Sequence, residues 1–393
     1  MVKMTVKDID LKQKNVLMRA DFNVPQDANL NITDDTRIRA TLPTIKYILQ
    51  NNVKKLILIS HLGRPDGKVV AKYSLKPIAA RLQELLAEPV LFLNECAGDA
   101  VKQQITQAKE RIILLENLRF HAEEEANDRN FAQDLASLGD IYVNDAFGTA
   151  HRAHASTEGV AHYLKAVSGF LLAKEIDYLG NAVADPQKPF VVILGGAKVS
   201  DKIGVIENLL PKADAIIIGG GMAYTFLKAQ GKSIGNSKLE KDKLGLAKSI
   251  LEKAAALKKE ILLPVDNVIV DTIAANAKTE LVGENIPEGK IAVDIGPATV
   301  KLFEEKLKTA KTIVWNGPLG IFEMDAFAKG TEAMAKFIAG LKTTSIIGGG
   351  DTAAAIAKFK LEDKMTHIST GGGASLEYLE GKTLPGVAAL AQK

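Results

Sequence analysis

The sequence has almost no cysteine, little net charge and no long apolar run. Cys96 is the only cysteine in 393 residues. An internal disulfide and a multi-cysteine zinc site are therefore excluded, and the chain suits a reducing compartment. Taken alone, Cys96 reads as a small buried residue rather than a nucleophile. The formal charge of +3 is too small to argue for nucleic acid or a membrane surface. No stretch approaches the roughly 18 apolar residues of a membrane span, and MVKMTVKDIDLKQKN lacks the apolar centre of a signal peptide. A cytoplasmic location is expected, with neither nucleic acid nor membrane as partner. Two nucleotide fingerprints are also missing. GGAKVSDKIGVIENLL, Gly195 to Leu210, has glycines and lysines but not the Walker A spacing, and no G-x-G-x-x-G follows a strand-like run. The second absence weighs against an NAD-dependent dehydrogenase.

What is present is an alternation. An apolar fraction of 47% and a charged fraction of 25% are those of a soluble globular protein, and the length predicts two domains. In the first half, KNVLMRADF, KKLILIS, PVLFL, RIILLEN and DIYVNDAF alternate with helix-like stretches such as LKPIAARLQELLAE. In the second, FVVILGG, DAIIIGGG, KEILLPVD, KIAVDIG, KTIVWNG, TTSIIGGG and THISTGGG repeat the grammar. Short apolar runs between helices predict parallel sheets, and the lack of a fixed period excludes a solenoid. The expected fold is therefore α/β, with two doubly wound parallel-sheet domains.

The halves differ in side chains. Every arginine lies at or before Arg152, and later basic residues other than histidine are lysines. This skew is either drift in usage or a sign that the first half holds an anion by forked guanidinium contacts. Ligands of open α/β sheets sit beyond the carboxyl ends of the strands. That rule selects Asp21, Asn23, His61, Arg64, Arg119, His151 and Arg152, which follow apolar runs. Glycine is skewed the other way, with clusters at Gly195–Gly196, Gly219–Gly221, Gly348–Gly350 and Gly371–Gly373 that again follow strands. Without a β-carbon the backbone approaches a ligand closely, and a helix starting there aims N–H groups at an anion. A single cluster reads as a tight turn; four on one edge predict a nucleotide-phosphate platform. Asp351, after the third cluster, is a helix cap or a ligand to Mg²⁺.

Taken together, MRADFNVP, SHLGRPDG, LLENLRFHAEEE, NDAFGTAHRAHAS, GGAKVSDKI, IIGGGMAYTFL, VWNGPLGIFE, GGGDTAAA and STGGGASLEYLEG resemble the signature set of the phosphoglycerate kinase family, in order and across nearly the whole chain. The resemblance implies a cytosolic, monomeric enzyme that transfers phosphate between 1,3-bisphosphoglycerate and ADP with Mg²⁺. It implies two similar-sized lobes with an active-site cleft between them. These are a phosphoglycerate-binding domain over 1–172 with a returning tail at 380–393, an interdomain helix over 173–188 and a nucleotide-binding domain over 189–379. By the same resemblance Asp21, Asn23, Arg37, His61, Arg64, Arg119 and Arg152 bind phosphoglycerate, with His151 supporting the rim. Lys202 holds nucleotide phosphate, Glu323 the ribose, and Gly349, Gly350, Asp351 and Thr352 the phosphates, with Asp351 on the metal side. Gly195, Gly219, Gly220, Gly296, Asn316 and Pro318 complete the pocket.

The acceptor, a carboxylate or an ADP phosphate oxygen, is already ionised at neutral pH. No general base is required, and catalysis rests on positioning and charge. Arg37, Lys198 and the N–H groups of Gly371, Gly372 and Gly373 are the expected contacts to the phosphoryl group in transit. In-line transfer away from water predicts lobe closure, with hinges near 180–189 and 376–384. The rival from another class is a two-lobe anion-binding protein without catalysis, which would need no second, glycine-lined site.

Overall fold

The computed structural model describes residues 2–393; residue 1 and the side chains at 181 and 183 lie outside the described residues. The chain divides into two compact units, Met1–Asp177 with Thr383–Lys393, and Tyr178–Lys382. The helix Phe170–Ala184 carries the chain from the first into the second. The expected hinge segment 180–189 includes the two undescribed side chains.

Unit 1 is built on a six-stranded sheet: β1 (Asn15–Arg19), β2 (Lys55–Ile59), β3 (Val90–Leu93), β4 (Ile112–Leu115), β5 (Ile141–Asn144) and β6 (Ala166–Ser168), in the order β3-β4-β2-β1-β5-β6. All its pairings are parallel. Val16, Met18, Leu56, Leu58, Ile112 and Leu114 join one core cluster, while the intervening Leu17, Ile57 and Ile113 are equally buried on the opposite face. Both faces are covered, and so these strands read as unbroken apolar runs rather than alternations. Each fully buried Leu or Ile contributes about 1.5–3 kcal/mol. From β1 the chain builds β2, β3 and β4 on one side, then crosses to β5 on the other. That reversal opens a crevice at the carboxyl end of β1. The tail is part of this unit: Ala391 N–H donates to Ala166 O and Met4 N–H to Ala391 O.

Unit 2 has its own six-stranded parallel sheet of β7 (Phe190–Leu194), β8 (Ala215–Ile218), β9 (Glu260–Leu262), β13 (Thr312–Asn316), β14 (Thr344–Gly348) and β15 (His367–Ile368), ordered β15-β14-β13-β7-β8-β9. The crossovers reverse direction between β7 and β13, so the crevice lies beyond Leu194 and Asn316. One expectation is corrected here. KIAVDIG does not enter the parallel sheet: β12 (Ile291–Ile295) pairs antiparallel with β10 (Asp266–Val270), which also pairs antiparallel with β11 (Glu280–Gly283). β10 follows β9 after only three residues, Leu263–Val265, too few for the crossover a parallel neighbour needs. Trp315 is fully buried in the core of this unit, and its indole N–H donates to Gly317 O at 2.8 Å. Core packing thereby fixes the turn after β13. Among the described residues, no helix is long and apolar enough to cross a membrane.

Candidate functional site

In unit 1 the loops after β1, β2, β4 and β5 bring cations together. Arg19, the last residue of β1, is 1% exposed. Its Nε donates to Ser156 Oγ at 2.9 Å and its Nη2 lies 3.0 Å from His61 Nδ1. A guanidinium only donates, so Nδ1 accepts and a neutral His61 carries its proton on Nε2. His61 is neutral: burial, then the neighbouring Arg19, Arg119 and Arg37, hold its pKa well below the usual histidine value. It therefore offers Nε2–H as a donor without adding charge. Arg37 Nη1 pairs with the buried Asp21 at 2.5 Å, and Asn23 Oδ1 accepts from Gly63 N–H at 2.9 Å, tying the first two loops together.

Arg119 Nη1 donates to Gly63 O at 3.0 Å, and its Nε lies 3.1 Å from Glu125. Arg152 stands 4.0 Å from the same carboxylate and donates from Nε to His151 Nε2 at 3.2 Å. Arg64 is exposed and makes no hydrogen bond or ion pair among the described residues. Burial, then Arg119, Arg19 and Arg152, lower the pKa of His154 to about 3. The guanidinium groups thus press on both histidines and outnumber the carboxylates beside them, Asp21, Glu124 and Glu125. A bound anion relieves that repulsion. Arg19 and His154 were not singled out from the sequence; the available signal was a lone arginine closing an apolar strand.

In unit 2 two cavities adjoin at Gly196, Ala197 and Asp351. One, of about 480 Å³, has apolar walls including Ile273, Val293, Leu319 and Ile321, with Glu323 and Pro318 also lining it. Its Tyr224, Asn236 and Lys238 were not foreseen. The other, of about 300 Å³, is lined by Gly195, Lys198, Lys202, Asn316, residues 349–352, Gly372 and Gly373. Gly195 and Gly317 stand back to back: a β-carbon on Gly317, where φ is +104°, would fall 2.2 Å from Gly195 O. Thr352 Oγ1 accepts from Gly317 N–H at 2.6 Å, joining this turn to the helix Gly350–Lys358 whose first N–H groups border the cavity. Gly220 lines the first cavity, whereas Gly219, Gly296 and Gly371 line neither. Gly219 packs on Leu319 and Gly296 on Asp266.

The lysines differ. Lys202 Nζ donates to Asn316 Oδ1, and burial lowers its pKa against the opposing pull of Asp201, Asp351 and Glu380. Because lysine only donates, Asn316 must present its oxygen there, which leaves its buried Nδ2 without an acceptor among the described residues. Lys198 is exposed and makes no ion pair or hydrogen bond among the described residues. An apolar slot leading into N–H groups and two ammonium groups suits an aromatic ring followed by phosphates.

Comparison with known proteins is consistent along the chain. The family profile described as "Phosphoglycerate kinase" matches residues 6–382. The chain is 58% identical over 404 residues to a protein named phosphoglycerate kinase from Koribacter versatilis, covering 100% of each. It is 58% identical over 392 residues to "Phosphoglycerate kinase 3, cytosolic" of Arabidopsis thaliana, covering 98% of this chain and 97% of that protein. The solved structure of phosphoglycerate kinase from Coxiella burnetii superposes with a TM-score of 0.91 at 43% identity, covering 98% of both chains.

Proposed function

Because the chain belongs to the phosphoglycerate kinase family, we propose that its two cationic sites divide one reaction, unit 1 holding the phosphoglycerate and unit 2 the nucleotide. The reaction is reversible phosphoryl transfer from 1,3-bisphosphoglycerate to ADP, giving 3-phosphoglycerate and ATP. The bond from phosphorus to the acyl oxygen breaks as one to the ADP terminal oxygen forms. The observation that carries the division of labour is the pairing of Lys202 with Asn316, whose buried Nδ2 lacks an acceptor beside the glycine turns. A nucleotide phosphate oxygen supplies that acceptor.

On this reading Arg64, Arg119, Arg152 and His61 Nε2–H hold the carboxylate and phosphate groups of the triose acid, with Asp21, Asn23 and His151 orienting the rim. Arg37 and Lys198, with the N–H groups of Gly371, Gly372 and Gly373, meet the charge that spreads over the transferring oxygens. Both acceptor groups are anionic at neutral pH, so no residue has to remove a proton. Glu323 takes the ribose and the apolar slot takes the base. Asp351 is one exposed, hard oxygen donor lining both cavities, which fits Mg²⁺ arriving with the nucleotide; the ion supplies charge neutralisation when bound. The protein acts in the cytoplasm as a monomer, and its units close on the two substrates so that the acyl phosphate is kept from water.

The test is a coupled assay for ATP formation from ADP and 1,3-bisphosphoglycerate, run beside small-angle scattering of the same preparation. ATP formation is expected, with a smaller radius of gyration when both substrates are bound. An unchanged radius overturns closure, and an absence of ATP overturns the assignment.

A further inference from the structure

The loops after β3 and β4 carry three side chains that phosphoryl transfer does not use. Cys96 is fully buried just beyond β3, Glu95 beside it is exposed, and His121 follows the short turn Leu118–Phe120 after β4. β3 and β4 are parallel neighbours, so their carboxyl ends lie side by side. One donor atom from each of Glu95, Cys96 and His121 lies within 4.8 Å of the other two. We propose that this trio is a binding site for a divalent transition-metal ion of borderline softness, with the Cys96 thiolate, a His121 ring nitrogen and a Glu95 oxygen as ligands and water in the fourth position.

The donor set selects the metal class. Sulfur, imidazole and a single carboxylate suit Zn²⁺ or Co²⁺, whereas Mg²⁺ and Ca²⁺ call for oxygen alone. Tetrahedral bonds of about 2.0–2.3 Å place donor atoms roughly 3.3–3.8 Å apart. Glu95 Oε1 now sits 2.7 Å from His121 Nε2 as its hydrogen-bond partner. The same oxygen accepts from Cys96 N–H at 2.8 Å, and because the Glu95 side chain is 56% exposed it can shift by the fraction of an ångström that opens the space while keeping an oxygen toward the site. The other two ligands are held: the His121 ring stacks on Phe131 with centroids 5.1 Å apart, and Cys96 is fully buried.

Metal entry replaces the thiol proton, which leaves to solvent, and the sulfur–metal bond forms without any change of oxidation state. A site of this kind would hold the turn that carries Arg119, two residues before His121.

Since Cys96 is the only cysteine, a thiolate-to-cobalt charge-transfer band reports this site alone. The full-length protein, free of nucleotide, is titrated with Co²⁺ and then with Zn²⁺ in competition with a chromophoric chelator. The expected result is one equivalent of Co²⁺ with a charge-transfer band that Zn²⁺ abolishes. Cys96→Ser should lose the band, and His121→Ala should weaken binding by about ten-fold or more. If Cys96→Ser does not fold, His121→Ala and Glu95→Gln decide. No band in the wild-type protein, or binding unchanged in His121→Ala, overturns the proposal.

Discussion

On the proposed reading, unit 1 and unit 2 would meet their anions by different means. In unit 1 the groups are side chains, most of them already committed to partners: Arg37 to Asp21, Arg119 to Glu125 and Gly63 O, Arg19 to His61, with Arg64 left without one among the described residues. In unit 2 the surface is largely glycine backbone, with Lys202 leaning on Asn316 and Lys198 unpartnered among the described residues. A guanidinium pinned by a carboxylate has little freedom to turn, which suits a small acid that must be held in one pose. Glycine turns admit a long polyphosphate because nothing projects from them. Unit 1 is therefore expected to be sensitive to charge, and unit 2 to volume.

The largest effect is expected at the two residues proposed to meet the transferring phosphoryl group. Arg37→Ala and Lys198→Ala should each lower kcat by about 10²–10³-fold while KM moves little. Steady-state kinetics in both directions checks this, and a loss carried by KM would make either residue a binding group. The next pair separates volume from charge. Gly317→Ala combines the clash at Gly195 with an unfavourable φ, and should cost about 1–3 kcal/mol of stability while raising KM for nucleotide. Arg64→Ala should raise KM for phosphoglycerate with stability unchanged within about 0.5 kcal/mol. Thermal denaturation beside kinetics reads both, and exchanged outcomes would dissolve the contrast.

The smallest effect concerns a buried carboxyl in each unit. Burial raises Asp145 to about 7, against Thr44 and the N–H groups of Leu172 and Leu171, and burial likewise raises Asp294 to about 7. The folded state keeps a proton that the unfolded chain, titrating at about 3.9, gives up. Each group therefore makes stability fall as pH rises from about 4 to about 7. Asp145→Asn should flatten that fall at little cost, because only Oδ1 accepts from the backbone, from Leu171 at 2.9 Å and Leu172 at 3.2 Å. Asp294 uses both oxygens, for Ile295 N–H at 2.9 Å and Gly330 N–H at 2.6 Å. In Asp294→Asn an amide faces one of those donors, at a cost of about 1–3 kcal/mol. Denaturant melts across pH distinguish them.

The parallel sheets were legible because strands buried on both faces are written as plain apolar runs, as in FVVIL and KLILI. The antiparallel sheet was not, since β10 and β12 carry similar runs and only the length of the connection from β9 tells them apart. Among site residues, those that follow strands directly, such as Asp21 and His61, announce themselves by position. Arg19 does not, because as the last residue of β1 it reads as the strand's polar end. Its role depends on Ser156 and His61, which are distant in the chain. The orientation of Asn316 was equally hidden, being set by Lys202 from another strand-to-helix turn. At Gly219 and Gly296 the missing β-carbon makes room for the side chains of Leu319 and Asp266, a packing reason that the position after a strand does not reveal.

The returning tail bears on how the molecule is made. Unit 2 is one unbroken stretch of sequence, whereas unit 1 needs both ends of the chain, with Met4 N–H donating to Ala391 O. During synthesis the segment before Asp177 emerges first but lacks its last contacts until Thr383–Lys393 has been made. Unit 2, although made later, can complete its own contacts before unit 1 receives its final ones. The order of completion on the ribosome is then the reverse of the order of the sequence.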